Sequence, residues 1–94
     1  MTTLEKIKLS LRISHSKLDP DLQDEIAACL ADLTASGVTY AKEEAPLVLN
    51  AIKLWCKAMY TDDPVKGAEY RRRYELLKGG LVCMEGYGWR DGDE

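Results

Sequence analysis

Histidine and cysteine are the side chains best suited to catalysis near neutral pH, and the sequence holds one of the first and three of the second. His15 stands in the polar run Ser14-His15-Ser16-Lys17. A lone imidazole with no orienting partner makes a poor general base, so His15 reads as a solvated loop residue. Cys29, Cys56 and Cys83 are odd in number, evenly spread and free of any C-x-x-C pair. They form neither a disulfide framework nor a zinc site, which would want four ligands grouped in close pairs. Cys29 and Cys56 fall on apolar helical faces, where free cysteine behaves as a small hydrophobe; Cys83 is expected to be the most exposed. The acidic pairs Glu43-Glu44 and Asp62-Asp63 lie near helix starts, where negative charge offsets the helix dipole. Gly79-Gly80 lacks the strand-to-helix setting and the following lysine of a phosphate-binding loop. The expectation is a chain with no catalytic residue, no cofactor and no metal.

Binding is better represented than chemistry. Arg71-Arg72-Arg73 is the one basic cluster. Three consecutive helical residues spread over most of the circumference, so they cannot address one phosphate track. They fit a solvated face with an Arg71–Glu75 pair at i,i+4, or pairing with acids of a neighbouring subunit, since arginine bonds carboxylates directionally. Arg71, Arg72 and Glu75 are therefore candidates for a subunit interface. Tyr87 and Trp89 sit in a glycine-flanked segment with no local core to join. They either fold back on the chain's own helices or serve as aromatic anchors in a partner, and are candidates for a docking tail. The net charge of −3 disfavours a grip on DNA, where affinity comes from neutralised phosphates. It suits a surface that DNA passes without sticking. The aromatic set of five tyrosines and two tryptophans, with no phenylalanine, is of the kind favoured at interfaces.

The elements that position these residues read as all-α: a small four-helix domain over residues 1–84, with a flexible acidic and aromatic tail over 85–94. With 94 residues there is room for one domain, and its burial is modest. Thr2 and Glu5 match a capping box for a first helix from Leu4 to Arg12, with Leu4, Ile7 and Leu11 on one face. Asp19-Pro20 starts a second helix with the stripe Leu22, Ile26, Cys29, Leu30, Leu33 and a stop at Gly37. The third, near Pro46 to Tyr60, carries Val48, Ile52, Trp55, Cys56 and Met59 and is apolar enough to lie at the centre. Asp63-Pro64 opens the fourth, with Tyr70, Tyr74, Leu77, Leu81 and Met84 as its stripe. Gly79-Gly80 is expected to fray or bend it. The unpaired cysteines suit a reducing compartment. The opening Met1-Thr2-Thr3-Leu4-Glu5-Lys6 reads as a cytosolic start, and no apolar stretch approaches a membrane span.

In order and spacing, "LEKIKLSLRIS" (4–14), "DPDLQDEIAACLADLTASGV" (19–38), "PLVLNAIKLWCKAMY" (46–60), the "DDP" turn and "EYRRRYELLKGGL" (69–81) closely resemble the small head–tail connector, or DNA-packaging, proteins of tailed double-stranded-DNA bacteriophages. The resemblance spans nearly all of residues 1–81 and rests on the ensemble rather than on one strict motif. It implies a subunit of phage or prophage origin that forms a homo-oligomeric ring below the portal protein. Such a ring extends the DNA channel and meets the next connector or tail-completion protein. It also implies assembly in the host cytoplasm and a final place at the virion head–tail junction. Gly79-Gly80 and the Tyr87–Trp89 tail depart from the family's helix ending. From net charge, the channel wall is expected to be acidic. The rival reading is a small prophage-encoded helical DNA-binding regulator, which needs a basic recognition helix. The second helix is acidic and the third largely apolar, so neither supplies one.

Overall fold

The computed structural model describes residues 1–39 and 41–84, which form four helices and no strand. The first, α1 (Thr3–Leu11), begins on the expected capping box. The Glu5 amide donates to Thr2 Oγ1 at 3.1 Å, and the Thr2 amide donates to Glu5 Oε1 at 2.7 Å. It ends one residue sooner than the periodicity suggests, because Arg12 turns into the left-handed region at φ 61°. That turn lets the Ile13 amide donate to the Lys8 carbonyl at 2.9 Å and closes the helix end.

The second helix, α2 (Asp19–Ala35), departs from the expected start. Leu18 holds the capping position without a side-chain bond, and the Asp19 carboxylate faces Lys8 Nζ at 2.9 Å instead of capping. An ion pair to the last turn of α1 has displaced the cap and ties the two helices together. The far end closes as expected. Gly37 takes φ +107°, its amide reaches the Thr34 carbonyl at 3.1 Å, and the Val38 amide reaches Leu33 at 3.0 Å. A side chain at Gly37 would strain this turn, and buried Val38 seals the helix end from below.

The central element is α3 (Pro46–Tyr60), which packs against each of the other three. Contact on several sides explains why its buried face is broader than one stripe: Val48, Leu49, Ala51, Ile52 and Cys56 are all inside. Met59 is the exception to the predicted stripe, at 49% exposed, and Trp55 is half-buried. A three-residue turn leads to α4 (Pro64–Cys83), where Asp63 Oδ1 accepts from the amides of Val65 (2.9 Å) and Lys66 (3.2 Å). Buried Gly67 lets α4 approach α3 closely; a Cβ there would stand 3.3 Å from the Thr61 methyl.

Tyr74 and Leu81 are buried, Tyr70 and Leu77 partly so, and Met84 lies beyond the helix, exposed. The expected interruption at Gly79-Gly80 does not occur, and α4 runs through both glycines to Cys83. Packing of Leu77, Leu81 and Val82 against the core outweighs the roughly 1 kcal/mol each glycine costs. A Cβ at either position meets nothing within 4 Å. The double variant Gly79→Ala/Gly80→Ala should therefore raise stability by about 1–2 kcal/mol in urea unfolding. A loss of stability would mean that the glycines serve a bend after all. The core is one cluster drawn from all four helices. The expected tail, residues 85–94, lies outside the described residues.

Candidate functional site

Tyr74 is the junction between α2, α3 and α4. Its hydroxyl donates to Asp32 Oδ2 at 2.6 Å and takes a weak contact from Cys29 Sγ at 3.9 Å. Its ring meets Trp55 edge-on, with centroids 5.3 Å apart, while Trp55 Nε1 donates to Glu25 Oε1 at 2.8 Å. Lys78 completes the cluster, with Nζ 2.9 Å from Asp32 Oδ2 and 3.0 Å from Glu75 Oε1. Burial, then the Asp32 bond, pushes the Tyr74 phenol far above its ordinary range. The Tyr74 hydroxyl, then Lys78, holds Asp32 below the ordinary carboxylate value of 3.8.

These bonds fix side chains rather than activate them. Burial pushes the thiols of Cys29 and Cys56 up to about 12, so neither is a nucleophile at neutral pH. Cys83 is the exposed one of the three, as expected. His15 is exposed, and its Nδ1 accepts from the Lys17 amide at 3.2 Å. Among the described residues, no group of His, Cys, Asp and Glu comes together that could hold a metal ion.

A depressed Asp32 carries a stability signature. Its contribution is present above pH 3.8 and is lost as pH falls through the lower, folded-state value. The stability gap between the native chain and Asp32→Asn should be full at pH 6 and close as pH drops below about 3.8. A gap independent of pH would show that the Asp32 charge does not support the junction.

On the outer side of this junction, α3 and α4 leave a groove of about 200 Å³ lined by Trp55, Ala58, Met59, Arg71, Tyr74 and Glu75. The structure thus brings two of the three interface candidates, Arg71 and Glu75, to one concave surface. They do not form the expected i,i+4 pair. Glu75 bonds Lys78, which is drawn to the same side by Asp32, and Arg71 makes no ion pair with another described residue. Arg72 points elsewhere, 3.7 Å from Glu69, which also binds Arg73 Nε at 2.9 Å. Tyr87 and Trp89 lie outside the described residues.

The sequence reading did not foresee Met59, Trp55 and Asp32 as members of this surface and its support. Asp32 and Lys78 are 46 positions apart. The available hint was spacing: Asp32 sits one turn after Cys29, and Lys78 one turn after Tyr74, at helix-neighbour distance from buried residues.

Charge is also distributed differently from what the total suggests. Four of the 16 acids (Glu85, Asp91, Asp93, Glu94) and one of the 13 bases (Arg90) fall in residues 85–94. Residues 1–84 are formally neutral, so the −3 that motivated an acidic channel wall belongs to the last ten residues alone. Comparison of the chain with protein-family models, with curated proteins and with solved structures gives no match. Among the described residues, no helix is long and apolar enough to cross a membrane.

Proposed function

We propose that the chain is a structural subunit of a phage head–tail connector, forming a homo-oligomeric ring below the portal and joining it to the next connector or tail-completion protein. The observation that carries this reading is the α3–α4 groove, where partly exposed Trp55 and Met59 lie between Arg71 and Glu75. A ring needs a heterologous contact, in which two different patches of each subunit meet head to tail. An apolar depression rimmed by both charges supplies one such patch, because it offers desolvated area at the centre and directional pairing at the edge. The family-like order of the four segments supports the same reading. DNA passes through such a ring without specific binding, which suits the neutral 1–84 body.

The test is co-assembly with the portal protein of the same genome, followed by mass measurement of the complex. Addition of several copies per portal ring supports the proposal. The regulator reading predicts a different outcome: tight binding to duplex DNA in a gel shift at moderate salt, with no portal association.

A further inference from the structure

A second concavity, larger than the α3–α4 groove at about 670 Å³, lies where the C-terminal ends of α1 and α3 meet the first turns of α4. Three cations line it, Arg12, Lys57 and Lys66, and no acidic side chain does. They come from three different helix ends, so no local sequence pattern announces them. Tyr60 and Tyr70 form aromatic walls, and Lys57 Nζ lies 5.8 Å from the Tyr70 ring centre. Burial, and then the charges of Asp21 and Glu25 on α2, raise the Tyr60 phenol. Arg12 is also the one non-glycine residue of the described chain in the left-handed region. That backbone costs about 1 kcal/mol and is enriched at binding sites.

We infer that this cleft is the docking site for the chain's own acidic, aromatic segment, residues 85–94. That segment has the complementary chemistry: Glu85, Asp91, Asp93 and Glu94 against a single Arg90, with Tyr87 and Trp89 among them. The carboxylates of Asp91 and Asp93 pair with Arg12 and Lys66, and the ring of Trp89 suits the Tyr70 wall. Reach is sufficient. Lys66 to Cys83 spans about 26 Å of helix, and residues 85–94 fully extended cover about 35 Å. The end of the segment, near Asp91 and Asp93, can therefore return to the cleft of its own chain. The inference concerns the cleft, not the groove, and does not depend on the connector reading.

The experiment is ¹⁵N relaxation on the full chain, read at the amides of residues 85–94 and of Arg12, Lys66 and Tyr70. In the native chain the segment's amides should tumble with the helices. Arg12→Glu/Lys66→Glu should lower the docked population at least tenfold with the helical circular dichroism unchanged, since both residues are exposed. Asp91→Lys/Asp93→Lys should do the same, and combining the two pairs should restore docking. Equal relaxation in all four proteins would overturn the inference. So would a single-stranded oligonucleotide that shifts the Lys66 and Tyr70 resonances of the native chain while leaving those of 85–94 in place, which would assign the cleft to nucleic acid.

Discussion

Ile52→Ala is expected to lower the unfolding free energy by about 3 kcal/mol, read as a fall in the urea midpoint at unchanged slope. Ile52 is wholly inaccessible and sits on the helix that touches all three others. Removing its outer carbons loses their transfer free energy and leaves a cavity that neighbours on several helices cannot all collapse to fill. For a domain whose total stability is of order 5–15 kcal/mol, that is a large fraction. Met59→Ala, on the same helix but half exposed, should cost only about 0.5 kcal/mol. Equal costs at the two positions would contradict the assignment of α3 as the core element with one outward-facing edge.

Met59→Glu is the complementary variant, placed to disturb association and spare the fold. The urea midpoint should move little, because the carboxylate reaches solvent. Assembly should weaken at least about thirtyfold, the scale of a central interface residue worth about 2 kcal/mol. A new anion beside Glu75 and in the middle of the apolar floor opposes both terms that a partner would use there. Arg71→Glu should act in the same direction by removing the groove's cation. If Met59→Glu assembles as the native chain does, the groove is not the contact. If it unfolds, Arg71→Glu still decides, since Arg71 is exposed and bears no core packing.

Local signals in the sequence carried far. The Thr2–Glu5 box, the Asp63 cap, the glycine at Gly37 and the bounds of α3 all follow from side chains acting within a few residues of themselves. Where the reading departed from the structure, a distant partner was responsible. Asp19 gave up capping for Lys8, Glu75 turned to a Lys78 that Asp32 of α2 holds rather than to Arg71, and Gly79-Gly80 stayed helical because Leu81 is held in the core. Met59 fits the stripe by spacing alone, yet among the described residues it stays half exposed. The groove was half legible, through Arg71 and Glu75, because both lie on one helix. The cationic cleft was not, since Arg12, Lys57 and Lys66 converge only when three helix ends meet.

Assembly through the α3–α4 groove is tested most directly by mass measurement of the chain mixed with a portal protein encoded beside it. The native chain should add as a closed set of copies to each portal ring, and Met59→Glu should add far fewer at the same concentration. Portal rings that gain no copies of the native chain, even at the highest soluble concentration, would contradict it.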